Sequence, residues 1–211
     1  MARILPGVLE ANQITTIGDN WFMDMAQRKR ALRTQLGRHA PFVAVFGSAI
    51  TEKDSSDWKK AVAVGVEIAK AGAVTMNGGY GGAMEAVSEG AASVGGKVVG
   101  ITCMDLPEKQ SNRFITDVWV TDRWDQRMLA LVWLADGYII CPGSSGTLVE
   151  LSMVIETQLK GFLPLRPAVA LGSFWKSVVG RITDTKKIVT FVSSPRIAVQ
   201  HAIGKLHARK D

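Results

Sequence analysis

Two short stretches of the chain combine glycine with hydrogen-bonding side chains in a way that suits a phosphate. One is Asn77-Gly78-Gly79-Tyr80-Gly81-Gly82 and the other is Pro142-Gly143-Ser144-Ser145-Gly146-Thr147. Glycine permits positive φ and lets a ligand approach the backbone without a Cβ in the way. Each stretch follows an apolar run and precedes a segment of helical period, so each marks a strand-to-helix connection. There the unpaired N–H groups and the positive end of the helix dipole favour an anion. Ser144, Ser145 and Thr147 add hydroxyl donors. Neither stretch is a Walker A or GxGxxG match, and one glycine-rich turn alone is commonly no more than a tight connection. Two of them, flanked alike, point to a shared anion site.

A carboxylate and a guanidinium stand close to the second loop. Thr147-Leu148-Val149-Glu150 has the form of a capping box, in which Glu150 would reach back to the N-cap amide, and helix mechanics alone favour that role. The chemical alternative places the Glu150 carboxylate beside the ribose of a bound nucleotide. There it would act as general acid/base or stabilise an oxocarbenium-like transition state. Arg127 lies near the start of the helix that precedes this loop's strand. Helix and strand run antiparallel, so Arg127 comes to the same sheet edge as the loop. Arg123 and Asp125 share that neighbourhood, and spacing does not separate them from Arg127.

The elements that position these residues alternate. Phe42–Phe46 is a β-rich run, and 57–71 has helical period with Ser55, Ser56 and Asp57 as caps and Gly72 as a stop. A strand at 73–76 leads into the first loop, followed by a helix over about 83–94 and a strand at 97–102. Residues 104–112 read as loop, 114–120 as a short strand and 122–134 as a helix. Residues 137–141 form a buried strand entering the second loop. A helix over 148–160, a strand at 168–171 and a mainly helical tail after Phe174 complete the series. This is the pattern of parallel βαβ units, an α/β three-layer fold with a central parallel sheet flanked by helices. Residues 21–36 form a basic helix. The organisation expected is an N-terminal helical extension over 1–40 on a single domain over 41–211.

Composition narrows the function classes. With 211 residues, 47% hydrophobic and 21% charged, the chain can bury one sizeable core. Its apolar stretches are broken well short of a membrane span, and MARILPGVLEANQ has no secretory pattern. Cys103 and Cys141 lack metal-ligand spacing, so no metal site is expected and a reduced cytoplasmic setting follows. The charge of +6 gathers at Arg28, Lys29, Arg30, Arg33 and Arg38 and at Lys205, Arg209 and Lys210. Without interleaved aromatics it reads as solvated helix face and tail, and nucleic acid is not an expected partner.

The segment from Arg127 to Glu150 resembles the LOG (Lonely Guy) family of the Rossmann-type SLOG superfamily. That family carries PGGxGTxxE with an Arg fifteen positions before the Pro. Pro142 to Glu150 departs from it only at Ser144, and Asn77 to Met84 resembles the family's GGGxxGLM loop with Asn and Ala departures. Phe46-Gly47-Ser48-Ala49 resembles its opening strand and loop. The likeness spans Pro41 to Arg181. It implies a Rossmann-like fold and hydrolysis of the N-glycosidic bond of nucleoside 5′-monophosphates to free base and ribose 5-phosphate. Glu150 and Arg127 would be catalytic. Pro142, Gly143, Ser144, Ser145, Gly146 and Thr147, with Gly47, Ser48, Gly78, Gly79, Gly81 and Gly82, would surround the phosphate. Met84 and Glu85 would line the base and ribose. No cofactor is implied, and a homodimer or higher homo-oligomer is.

Superfamily relatives also include carriers of the molybdenum cofactor and nucleotide sensors, so a non-catalytic binding role is the alternative. If Ser144 has to adopt positive φ, its Cβ costs on the order of 1 kcal/mol. Lysine decarboxylation, once attached to this family, is rejected: it needs a pyridoxal-type electron sink anchored by a Schiff-base lysine, and neither loop offers one.

Overall fold

The computed structural model describes residues 14–17, 21–37, 39–106, 110–182 and 184–207. Residues 1–13 and the basic positions Arg38, Arg209 and Lys210 lie outside them. The chain runs β1 (Ile14–Ile17), α1 (Trp21–Leu36), β2 (Phe42–Phe46), α2 (Ser56–Lys70), β3 (Val74–Asn77), α3 (Ala83–Ala92), β4 (Val98–Cys103) and β5 (Asp117–Thr121). It continues through α4 (Trp124–Leu134), β6 (Gly137–Ile140), α5 (Ser145–Leu159), β7 (Ala168–Leu171), α6 (Phe174–Val179), α7 (Thr185–Ile188), β8 (Val189–Val192) and α8 (Pro195–His207).

All strand pairs are parallel, in the order β1-β5-β4-β3-β2-β6-β7-β8. From β2 the chain winds outward through β3, β4 and β5. It then returns through α4 to place β6 on the other side of β2, with Val43 opposite Gly137 and Phe46 opposite Ile140. The winding reverses between β2 and β6, and an open α/β sheet binds ligands in the crevice beyond the strand ends at such a reversal. This is the expected Rossmann-like three-layer fold.

The central strands are buried on both faces, which is why they read as unbroken apolar runs rather than alternating ones. Along β2, Phe42, Ala44 and Phe46 enter the core beneath α1, α4 and α5 with Leu32, Leu131, Leu134, Leu151 and Val154. Val43 and Val45 enter the opposite core, with Val64, Ile68, Val87, Ala198 and Ala202 of α2, α3 and α8.

At the sheet edge away from the loops, one buried carboxylate docks α1. Asp136 pairs with Lys29 Nζ at 2.7 Å and Arg33 Nη2 at 2.9 Å, and it accepts the Phe42 amide at 3.0 Å. Burial opposes ionisation of Asp136, but Lys29, the Phe42 amide and Arg33 hold the carboxyl below its usual range. Burial brings the Lys29 ammonium down to about 8.

Several expected boundaries shift. The fourth expected strand begins at Asp117 rather than Phe114, because Asn112 folds the approach into a turn by accepting the Phe114 amide. The tail is not wholly helical: Val189–Val192 adds a strand beside β7. Within the first forty residues the 21–36 helix forms as expected, and Ile14–Ile17 pairs with β5 at the far sheet edge.

Candidate functional site

Three connections meet beyond the ends of β2, β3 and β6. Ser48, after β2, donates its amide to Pro142 O at 3.2 Å, and its own carbonyl accepts the Ala83 amide at 2.8 Å. Ser48 therefore ties the two glycine loops together. Gly47 sits beneath this junction, where a Cβ would press on Ala83.

The two loops differ in what they leave free. In the first, the Gly79 amide is taken by Asn77 Oδ1 at 2.7 Å and the Ala83 amide by Ser48, so part of the α3 N-terminus is spent on internal bonds. Asn77 is fully buried, donates to Ser88 Oγ at 2.9 Å and works as a loop pin; its backbone is not left-handed. Asn112 clamps the same loop from outside through the carbonyls of Gly79 and Tyr80. Gly79 and Gly82 carry the positive φ the turn needs, and Gly81 lies near Glu85 Oε2.

In the second loop the helix starts earlier than expected. Ser144 is the N-cap and α5 begins at Ser145, with the first helical bond from the Leu148 amide to Ser144 O at 3.0 Å. The amides of Ser145, Gly146 and Thr147 thus precede the ladder, and the Ser144 side chain caps none of them. Ser144, Ser145 and Gly146 are exposed, Pro142 and Gly143 are half-buried, and Thr147 is buried. A Cβ on Gly143 would overlap the Thr147 side chain, so that position requires glycine. Ser144 has φ −106° and ψ −160°, ordinary extended backbone. It carries none of the strain that replacement of a glycine would bring at positive φ.

With Ser144 as cap, the capping box from Thr147 to Glu150 does not form. Thr147 is the third helical residue and Glu150 the sixth. The Glu150 side chain, 9% exposed, makes no hydrogen bond among the described residues. Burial drives its carboxyl up to about 8 against the opposing field of Arg127. Burial thus favours its protonated form.

Arg127 is separated from its neighbours by the structure. Arg123 and Asp125 pair with each other at the surface, whereas Arg127 is 6% exposed. Its Nε donates to Ile101 O at 2.8 Å and its Nη2 to Gly78 O at 3.2 Å. The guanidinium carbon lies 5.2 Å from the centre of the Tyr80 ring. A Cβ on Gly78 would overlap Arg127 Nη2 and crowd Met84 Sδ, so glycine is required here to admit the guanidinium. Met84 is buried and Glu85 half-buried at the start of α3. Tyr80 escaped the sequence reading: an aromatic inside a glycine loop has no periodic signature, and only its place three residues after Asn77 beside a buried arginine would have marked it.

Residues 40–196 match the model of the SLOG cluster4 family. The chain belongs to the SLOG cluster4 family. A protein of Archaeoglobus fulgidus is 35% identical to this SLOG chain over 131 residues, 61% of this chain and 82% of that one. Among solved structures, the molybdenum cofactor binding protein of Rippkaea orientalis superposes with a TM-score of 0.64 at 25% identity, covering 82% of this chain and 98% of that one. The molybdenum cofactor carrier protein of Chlamydomonas reinhardtii gives 0.59 at 21%, covering 80% and 99%, and shows the shared fold. No described helix of this SLOG protein is long and apolar enough to cross a membrane. No group of three or more described His, Cys, Asp or Glu residues is placed to hold a metal.

Proposed function

We propose that the protein is a phosphoribohydrolase that cleaves a nucleoside 5′-monophosphate, with water, into free base and ribose 5-phosphate. The observation that carries this is Glu150: a carboxyl on a residue only 9% exposed, pushed up to about 8 by burial, on the helix whose first three amides precede the hydrogen-bond ladder. A carboxyl held neutral at pH 7 is suited to general-acid work.

The amides of Ser145, Gly146 and Thr147, with the Ser145 and Thr147 hydroxyls, hold the 5′-phosphate at the α5 N-terminus. Pro142, Gly143, Ser144, Gly47 and Ser48 shape that end, and Met84, Glu85 and the Gly78–Gly82 loop border the sugar and base. Glu150 gives its proton to the leaving nitrogen as the C1′–N bond breaks. The carboxylate so formed faces the positive charge developing at C1′. Water then adds to C1′ and returns a proton to Glu150. Arg127 supplies a fixed positive charge that keeps this carboxylate accessible near neutral pH.

Offering nucleoside 5′-monophosphates, a cytokinin ribotide among them, and separating free base by chromatography tests the proposal, with Glu150→Ala as control. Release by wild type alone supports it, and silence across the panel rejects it. The likeness to molybdenum cofactor proteins favours one second reading, in which the same amides hold a pterin phosphate without catalysis. Saturable pterin binding with no base released would establish that reading instead.

The working unit proposed is the single domain over 41–211, with β1 and α1 of the 1–40 extension built into its sheet and core. A homodimer belongs to the same proposal, supported by exposed Leu159, Phe162 and Leu165 at the end of α5 and just after it. A cytoplasmic setting belongs to it too, consistent with the free thiols of Cys103 and Cys141.

A further inference from the structure

Arg127 is held on three sides. Ile101 O of β4 and Gly78 O of the first loop take its Nε and Nη2, and the Tyr80 ring covers the guanidinium face. Tyr80 is itself fixed: it is buried, its hydroxyl accepts the Cys103 amide at 3.4 Å, and Asn112 Nδ2 holds its carbonyl at 2.9 Å. Yet Arg127, whose field acts on Glu150, makes no ion pair with its carboxyl. A buried carboxyl and a buried guanidinium left to relax would pair directly. We propose that Tyr80 is the positioning residue for Arg127, holding the guanidinium against the first loop so that it acts on Glu150 through its field and not through a bond. This role rests on the phosphoribohydrolase reading for its catalytic meaning, although the geometry is a property of the ligand-free chain.

The charges involved are few. Among the described residues, Arg127 from α4 is the charge that acts on Glu150 of α5. Tyr80 in turn feels Arg127 and Cys103 of β4, and burial raises its phenol above the usual range, so the ring stays neutral. Take away the ring, and Arg127 can turn an Nη toward Glu150. The carboxylate then gains a bonded partner and the carboxyl becomes more acidic. Tyr80→Phe keeps the π face and loses only the long hydroxyl contact.

The experiment follows the Glu150 carboxyl by infrared titration of the full-length, ligand-free protein, with the band assigned by its loss in Glu150→Gln. Base release is then measured on the same variants. Tyr80→Leu is expected to lower the Glu150 titration by about one pH unit, a tenfold change in acidity. The kcat should fall about tenfold while KM changes little, the pattern of an interaction made in the transition state. Tyr80→Phe should follow wild type in the titration. Should Tyr80→Leu fail to fold, Tyr80→Met fills the space without a π face and serves in its place. A titration in Tyr80→Leu or Tyr80→Met equal to or higher than that of wild type overturns the proposal, even in an active enzyme. A lowered titration in a chain that releases no base upholds the positioning role and rejects the hydrolase reading alone.

Discussion

Replacing Glu150 by Gln should stabilise the protein at alkaline pH and leave it nearly unchanged at acid pH. The native carboxyl keeps its proton up to about 8, whereas the same group in an unfolded chain gives it up near 4.5. Native protein thus binds the extra proton between those two values, and stability must fall as pH rises across that window. Below about 4.5 the full contribution is present; above about 8 it is gone. At roughly 1.4 kcal/mol per pH unit the loss is at most about 5 kcal/mol, and relaxation around the buried charge brings it to about 3 kcal/mol or somewhat more. Glutamine has the same shape and no proton to lose, so the difference between variant and wild type isolates this group from every other titration. Urea unfolding at pH 5 and pH 9 reads it directly. The midpoints should nearly coincide at pH 5, and the variant should lead clearly at pH 9. A difference that does not change between the two pH values would refute the claim that Glu150 is buried without a partner.

Three further outcomes follow from the geometry. Asp136→Ala leaves Lys29 and Arg33 facing a site without their counter-ion and should cost about 3 kcal/mol, with faster amide exchange along α1. Gly143→Ala pushes a Cβ into Thr147; it should weaken phosphate binding about tenfold by calorimetry while the chain remains folded, because overpacking of this kind costs roughly 1–3 kcal/mol. Ser144→Gly should not raise activity and should lower stability by about 0.5 kcal/mol in urea, since Ser144 already lies in extended backbone and glycine adds only chain entropy.

Much of the fold was legible because buried parallel strands leave apolar runs that little else produces. Phe42–Phe46 and Ala168–Leu171 match their strands residue for residue, and Ser55 caps α2 through the Trp58 amide. What stayed hidden has particular causes. The start of α5 was displaced because Thr147 and Glu150 stand at capping-box spacing, while the true cap, Ser144, makes no side-chain bond that its residue type would announce. Val189–Val192 is a short edge strand with only its first residue buried, following directly on a lysine-bearing helical turn. At the site, the second loop could be read from its glycines and hydroxyls, whereas Glu150 and Arg127 were singled out only by the resemblance to the LOG family. That the first loop spends its amides internally could not be read, since the bond from Ala83 to Ser48 joins segments that sequence does not connect.

The most direct test of the account is a parallel time course of wild type and Glu150→Gln on one nucleoside 5′-monophosphate, following base and ribose 5-phosphate together at neutral pH. The account predicts equal amounts of both products from wild type and a rate lower by at least about a hundredfold in the folded variant, the scale of a lost general acid. Equal rates from the two proteins would contradict it, as would an inactive wild type that nevertheless binds the nucleotide.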